Sequence, residues 1–395
     1  MFHSVLLTHL QGMLPSFLHD LETLSQMDCG TFNKIGVNRV GRFMGRKLED
    51  MGLKVERYNE DTLGDSLIAR LRGNGRTRLL LLGHLDTVYP EGWCKEHPFF
   101  VEGDIAHGPG TADMKAGLLV GVYTLAALRA IGFNEFAEIA FVLNSDEEIS
   151  SPTSRWLIER EALKCDAALV LEAGRENGDI VSARKGLARF DLHIRGRAAH
   201  AGTEPERGRS AILELAHQII TLHALNERIP QATVTVGVVA GGTASNTVAA
   251  EASAQIDIRA VDYTSLTAMV AALHECATQT IVPETTVTLV GGIVRPPMEK
   301  TVATEQLSKW YQEVAQQIGI SLQDVRTGGV SDANTTSAIG VPTLDGLGPI
   351  GGLDHSPDEY ILISSIVPRM ILLAELIRVI CTYGVEKRGD VRHNE

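Results

Sequence analysis

The chain has 395 residues, 44% of them hydrophobic and 22% charged, a soluble globular composition in a chain too long for one ordinary core, so two domains are expected. Lys plus Arg number 36 against 49 for Asp plus Glu, a net charge of −13, which argues against a nucleic-acid backbone as partner. Cys29, Cys94, Cys165, Cys276 and Cys381 are scattered, odd in number and without a CxxC pair, so no disulfide framework is expected and a cytoplasmic location fits.

Residues 1–24 are apolar in places but carry His3, His9, His19, Asp20 and Glu22. Lacking a basic leader and a small-residue cleavage site, they read as an amphipathic helix and not a signal peptide. No run is expected to match the roughly 20 apolar residues of a membrane span. Residues 78–82 read as a buried strand, 115–131 as a helix stopped by Gly132, 138–143 as a strand, Ser151-Pro152 as the start of a helix, and 167–171 as another strand. Such alternation implies a largely parallel sheet. The pattern then changes to strand 187–194, helix 210–225, strands 233–239 and 248–259, helix 265–280 and strand 285–290. That β-α-β-β-α-β order is the ferredoxin-like plan. After Pro296-Pro297 come a helix over 302–318, a loop over 328–332 and a last helix over 364–381. The expected division is a catalytic domain in two parts, 1–185 and 297–395, around an inserted domain, 186–296.

Acidic and histidine positions recur where apolar runs end. His84 and Asp86 follow the run 79–82, Asp113 sits in the Gly-rich stretch 108–117, Glu147-Glu148 follow 138–143, Glu172 closes 167–171, and His355 lies in the loop Gly351-Gly352-Leu353-Asp354-His355. Strand ends are where α/β proteins gather ligands and catalytic groups. Taken singly, each has a plain reading. His84 and Asp86 make a structural pair on one strand face, Asp113 caps a helix, Glu147 and Glu148 join Asp146 in a solvated acidic loop, and Glu172 ends a strand at the surface. Adjacent carboxylates such as Glu147 and Glu148 repel, and a cation that binds one and leaves the other free resolves the conflict. Taken together, the positions form a nitrogen and oxygen donor set without thiolate, suited to zinc, cobalt or manganese.

The set His84-x-Asp86, Asp113-Met114-Lys115-x-Gly117, Asp146-Glu147-Glu148, Glu172 and His355 resembles the zinc-dependent carboxypeptidase G (glutamate carboxypeptidase) branch of the aminoacylase, acetylornithine deacetylase and succinyl-diaminopimelate desuccinylase family, over nearly the whole chain. The resemblance implies an α/β zinc-exopeptidase-like catalytic domain with a mostly parallel central sheet, and an inserted ferredoxin-like dimerisation domain. It implies two Zn2+ per chain, with Co2+ or Mn2+ as substitutes. Asp113 bridges them beside a cis peptide to Met114, His84 and Glu172 complete one shell, and Glu148 and His355 complete the other. Glu147 is the general base, Asp86 supports His84, and His200 reaches a partner subunit's active site to stabilise an oxyanion. Asn246, Arg259, Arg295 and Gly329 bind substrate; Arg is the natural reader of a carboxylate.

Where glutamate-specific relatives carry a side-chain-reading lysine, this chain has Asp179-Ile180, leaving Arg175, Arg184 or Lys185 for that role. The expected activity is hydrolysis of an N-acyl or peptidyl amide that releases a C-terminal amino acid such as glutamate or aspartate, in a homodimer with no nucleic-acid or membrane partner. The alternatives are an acetylornithine deacetylase or desuccinylase type of deacylase, an aminotripeptidase, which Glu172 speaks against, and a non-catalytic metal-binding protein, which the intact Glu147 speaks against.

Overall fold

Leu79, Leu80, Leu81 and Leu82 are all fully buried, as a strand covered on both faces requires. Each contributes roughly 1.5–3 kcal/mol by leaving water. In the computed structural model, which describes residues 2–385, they belong to the strand Thr77–His84 inside a six-stranded sheet. The end of the expected segment 297–395 therefore lies partly outside the described residues. By internal contacts the chain divides into one unit of Met1–Ala183, Lys300–Arg326 and Ser331–Glu395, and a second of Arg184–Glu299 and Thr327–Val330.

In the first unit the strand order is Lys54–Tyr58, Ser66–Arg72, Phe136–Asn144, Thr77–His84, Ala167–Val170, Thr343–Leu344. The last three pairings are parallel and the first two antiparallel. From Thr77–His84 the chain crosses by the helix Ala116–Ala130 to Phe136–Asn144 on one side, then by Arg155–Ala162 to Ala167–Val170 on the other. The strand order therefore reverses direction at Thr77–His84, and the carboxyl ends of strands at such a reversal are where open α/β sheets bind ligands. Register sets the height at which side chains emerge there. His84 pairs with Asn144 and Leu82 with Val170, so Glu172, two residues past Val170, emerges level with His84.

The helix Ala116–Ala130 is apolar nearly all round and almost wholly buried. It packs with the helices Phe2–Ser25 and Ile363–Tyr383. Phe2–Ser25 presents Leu6, Leu10, Phe17, Leu21 and Leu24 as one buried stripe, matching the amphipathic helix expected at 1–24. The expectation that no run could span a membrane needs correction, since Thr111–Ala130 is long and apolar enough by length and composition. It is mostly buried in the unit, which is the environment of a core helix. A smaller antiparallel sheet orders Gly351–Gly352, Tyr360–Leu362, Ile105–His107 and Phe100–Glu102. It joins the chain that leads to Asp113 to the chain on both sides of His355.

The helix expected at Ser151-Pro152 starts at Arg155. Ser151 has φ +54°, its hydroxyl donates to Asp332 Oδ1 at 2.5 Å and its N–H to the Asp146 carbonyl at 2.8 Å. A hydroxyl turned into the core is not available to cap a helix.

The second unit runs Gly186–Arg195, Ala211–Arg228, Ala232–Gly241, Glu251–Ala260, Tyr263–Ala277 and Thr286–Arg295, strands and helices in the order β-α-β-β-α-β. Its sheet places Glu251–Ala260 and Gly186–Arg195 inside, with Ala232–Gly241 and Thr286–Arg295 at the edges, all pairs antiparallel. The strand expected from 248 begins at Glu251, because the Val248 N–H is bonded to Ala199 O at 2.9 Å outside the ladder. Gly186–Arg195 alternates buried and exposed residues, the pattern of a sheet covered on one face.

Gly117 fixes how closely the helix Ala116–Ala130 approaches the strand ends. A Cβ there would lie 1.9 Å from the Leu171 carbonyl oxygen, next to Glu172. Gly117→Ala is expected to destabilise the fold by about 1–3 kcal/mol, the usual cost of overpacking, measured as a lowered denaturant midpoint with an unchanged m value. An unchanged midpoint would show that the strand end gives way at no cost.

Candidate metal centre

His84, Asp113 and Glu172 bring one donor atom each within 4.8 Å of one another, and Asp113, Glu148 and His355 do the same. Asp113 belongs to both groups. The structure thus draws the five ligands expected from the sequence into two triads with a shared carboxylate.

Each triad is built by backbone constraints. His84 ends its strand and is 2% exposed. Its Nδ1 lies 3.0 Å from the Asp86 carbonyl oxygen, so Nδ1 carries the hydrogen and Nε2 is left to face Asp113 Oδ1 at 2.9 Å and Glu172 Oε1 at 3.8 Å. Asp86 also brings Oδ1 to 3.4 Å from Nδ1, but most of its carboxylate serves elsewhere. It accepts the Thr31 hydroxyl at 2.7 Å and the N–H groups of Glu147 and Glu148 at 3.2 and 3.3 Å. One buried carboxylate thus holds both the histidine and the adjacent glutamates. His355 sits at φ +63°, with Nε2 3.1 Å from Asp113 Oδ2 and 3.4 Å from Glu148 Oε2. The peptide from Asp113 to Met114 is cis. Lys115, 2% exposed, donates to the carbonyls of Pro109 and Met27 at 2.9 and 3.3 Å, tying down the turn.

Burial and the charge of Asp113 push the Glu148 carboxyl up to about 7, and the same two causes raise that of Glu172 well above the usual range. Hydrogen bonds to Asp113 and then Glu148 push the His355 imidazole up to about 11. Burial alone would lower His84, but its bonds to Asp113 and Asp86 and the nearby negative charge raise it. Burial also acts to raise Asp113, yet the bonds from His355 and His84 hold it well below the ordinary carboxylate range. This much buried negative charge facing two imidazole nitrogens is the environment of a cation site. Glu148 Oε1 is buried without a hydrogen-bond partner, as expected of an atom reserved for a metal. The donor set therefore fits divalent ions bound by nitrogen and oxygen.

The remaining predicted site residues are spread over both units. Glu147 is 9% exposed beside Glu148. His200, in the second unit, accepts the N–H groups of Gly202 and Thr203 at Nδ1, 3.1 and 3.2 Å, so in its neutral form Nε2 carries the hydrogen. Asn246 is exposed, and its carbonyl accepts the Ala201 N–H at 2.9 Å. Arg259 forks onto Asp257 at 2.9 and 3.3 Å and donates to Gly328 O at 3.3 Å. Arg295 is fully buried at the end of its strand. Gly329 O accepts from Arg184 at 3.1 Å. Asp179 is turned inward, accepting the Gln323 N–H at 2.7 Å. Arg175 lines a cavity of about 480 Å3 with Asn177, Gly352 and Asp354.

Sequence reasoning missed Glu359, Tyr89 and Thr31. Glu359, 1% exposed, accepts the N–H groups of Gly110, Ala112 and Asp113 and the Tyr89 hydroxyl. Burial pushes its carboxyl up to about 7. Its only signal was its closeness to His355 in the chain.

The model of the family described as Peptidase family M20/M25/M40 matches residues 80–379. Carboxypeptidase G2 of Pseudomonas sp. (strain RS-16) is 32% identical over 371 residues, covering 92% of this chain and 89% of that protein. An acetylornithine deacetylase of Proteus mirabilis (strain HI4320) is 30% identical over 365 residues, covering 85% and 88%. Among solved structures, the aminopeptidase PepT of Bacillus cereus ATCC 10987 superposes with a TM-score of 0.77 at 23% identity, covering 92% of this chain and 98% of that one. The YXEP protein of Bacillus subtilis, a dinuclear metal binding peptidase from the M20 family, does so with a TM-score of 0.69 at 14% identity, covering 94% and 99%.

Metal ligands must be free of protons, whereas His355 and Glu148 are held protonated up to about 11 and about 7 when no ion is present. Metal uptake near pH 7 should therefore release protons, and affinity should weaken as pH falls. Calorimetric titration of metal-free protein in two buffers of different ionisation enthalpy measures the release. Equal heats in both buffers would contradict it.

Proposed function

Given that this chain belongs to peptidase family M20/M25/M40 and is a metal-dependent hydrolase of peptide or acyl amino acid substrates, we propose that it is a two-zinc enzyme that cleaves an amide bond to release a C-terminal amino acid, glutamate or aspartate, from an N-acyl or peptidyl substrate. The observation that carries the reading is the pair of triads sharing Asp113, with Glu147 beside them and outside both donor sets. His84, Asp113 and Glu172 would hold one ion, and Asp113, Glu148 and His355 the other.

Bound zinc supplies Lewis acidity, which polarises the scissile carbonyl and makes water acidic enough to react near neutral pH. Glu147 takes the proton of the attacking water on its carboxylate and hands it to the departing amine nitrogen. Asp86 keeps the Glu147 and Glu148 backbone in place through their N–H groups. The Nε2–H of His200 suits an oxyanion that gathers charge as the carbonyl becomes tetrahedral. Arg295 and Arg259, with Asn246 and Gly329, are assigned to the free carboxylate and backbone of the released amino acid. Arg175 is the candidate reader of its side chain.

The acetylornithine deacetylase relative supports a second reading, removal of an acyl group from an amino acid. Both cleave the amide at the nitrogen of an amino acid with a free carboxylate, and they differ in the group removed from it. Glu147→Gln should lower kcat by about a hundredfold or more with metal content kept, on substrates that carry a free C-terminal carboxylate. The corresponding C-terminal amides should be poor substrates for the unmodified enzyme. Loss of metal from the variant would move Glu147 into the donor set, and equal turnover of acids and amides would refute recognition of a free C-terminal carboxylate.

We also propose a homodimer in which His200 serves the partner's site. Val238 and Val239 on the edge strand Ala232–Gly241, and Ile212, Leu213 and Ile220 on the helix Ala211–Arg228, are exposed apolar residues, and such a strand edge tends to be paired. A His200→Ala chain and a Glu147→Gln chain, each nearly inactive alone, should regain part of the activity when mixed under subunit exchange. No recovery despite proven exchange would confine His200 to its own chain.

A further inference from the structure

Three of the five residues assigned to the metals stand on segments that meet at one carboxylate outside the donor set. Glu359 Oε1 accepts the N–H groups of Ala112 and Asp113 at 2.8 and 2.9 Å. Its Oε2 accepts the Gly110 N–H and the Tyr89 hydroxyl, both at 2.7 Å. Gly110 stands at φ +72°, a backbone state that glycine adopts without cost. The amides of Gly110, Ala112 and Asp113 thereby wrap one anion as a concave nest. Thr111, whose N–H is directed to Gly108 O at 3.1 Å, is the residue the nest skips.

The same carboxylate is anchored from the other side. The Glu359 N–H returns to Ser356 O at 3.3 Å, and the Tyr89 hydroxyl reaches that oxygen at 3.0 Å. The Gly108 N–H reaches the Glu359 carbonyl, also at 3.3 Å. Tyr89 stands shortly after His84, Asp113 lies within the nest, and Ser356 is next to His355.

We infer that Glu359, assisted by Tyr89, is a positioning residue of the metal centre, which sets Asp113 and the His355 turn at the separation that two ions require. The inference rests on the two-metal reading of the site. Its logic is acceptor supply: without the carboxylate, three neighbouring N–H groups would be buried with no partner, and the loop would have to move to satisfy them. Glu148 and Glu172 reach the centre from the strand ends and do not depend on this clamp.

Glu359→Gln is the sharp test, because it preserves size while turning one acceptor into a donor. With its amide nitrogen at the Oε1 position it would oppose Ala112 and Asp113, and at the Oε2 position Gly110. The Tyr89 hydroxyl can rotate; the backbone N–H groups cannot. Cobalt(II) is the probe, titrated into metal-free protein against a chromophoric chelator, with the visible spectrum of the cobalt protein recorded and the fold checked by circular dichroism. The unmodified protein should bind two cobalt ions. Glu359→Gln should bind at least one of them about 10–100-fold more weakly, with an altered spectrum and an unchanged fold. Tyr89→Phe, which removes one donor only, should show a smaller loss in the same direction.

An unmodified protein that binds no cobalt overturns the metal reading and this inference with it. If the unmodified protein binds two ions and Glu359→Gln matches it in affinity and spectrum, this inference alone is overturned, whatever happens to turnover. Loss of fold in both variants overturns it as well, since Glu359 would then serve folding and not the centre.

Discussion

Asp113 has an imidazole nitrogen on each carboxylate oxygen, His84 at 2.9 Å and His355 at 3.1 Å. Glu148 and Glu172 stand around that line, each made harder to ionise by burial and by the charge of Asp113. Two like charges about 4 Å apart repel by roughly 4 kcal/mol at the effective dielectric of a protein site. A few such pairs rival the whole stability of a domain, about 5–15 kcal/mol. The cluster is therefore tolerable only with positive charge inside it, supplied by protons on the histidines and glutamates or by metal ions. Either occupant satisfies the same electrostatic demand, which couples the protonation of the centre to its metal content.

Holding such a cluster together takes rigidity from outside it. The sheet contributes by strand order, since Phe136–Asn144 and Ala167–Val170 flank Thr77–His84 and deliver Glu147, Glu148 and Glu172 around His84. A second layer of buried carboxylates then fixes the loops. Asp86 accepts from Thr31, Glu147 and Glu148. Asp146 accepts the Thr153 N–H and hydroxyl at 2.7 and 2.8 Å, and Asp345 accepts the Ser331 hydroxyl at 2.7 Å. Apart from the contact of Asp86 with His84 Nδ1 at 3.4 Å, these acids have hydroxyl and backbone donors as partners. An inner carboxylate is thus free for a cation, whereas an outer one is fully engaged by the fold.

That distinction also explains what could be read from the sequence. His84, Glu147, Glu148 and Glu172 come after apolar runs, so strand periodicity already put them at strand ends. Asp113 and His355 sit in Gly-rich loops, where spacing alone left a capping Asp and an ordinary loop histidine as good readings; only the joint pattern singled them out. Glu359 was invisible because its role lies in bonds to backbone N–H groups nearly 250 positions away, and backbone donors leave no mark on residue type. The helix misplaced at Ser151 failed for the same reason, as its hydroxyl is engaged by the distant Asp332. The antiparallel strands Lys54–Tyr58 and Ser66–Arg72 went unread because their short, charge-bearing segments lack a continuous apolar run.

The inserted unit could interrupt the catalytic chain because its two ends are paired. Arg184 and Met298 exchange N–H···O bonds at 3.0 Å in both directions, so the chain leaves and returns at one point, and a long excursion closed in this way costs little more entropy than a short loop. All five proposed metal ligands, the proposed base and Glu359 belong to the first unit, whereas His200, Asn246, Arg259, Arg295 and Gly329 belong to the second. Apart from Arg175 in the first unit, the groups assigned to substrate recognition thus belong to a unit with a core of its own, built from Ala188, Phe190, Leu192, Ile256, Leu266 and their neighbours. The charged centre and most of the proposed recognition groups thus belong to units with separate hydrophobic cores, so the strict electrostatic demand around Asp113 is met within the first unit.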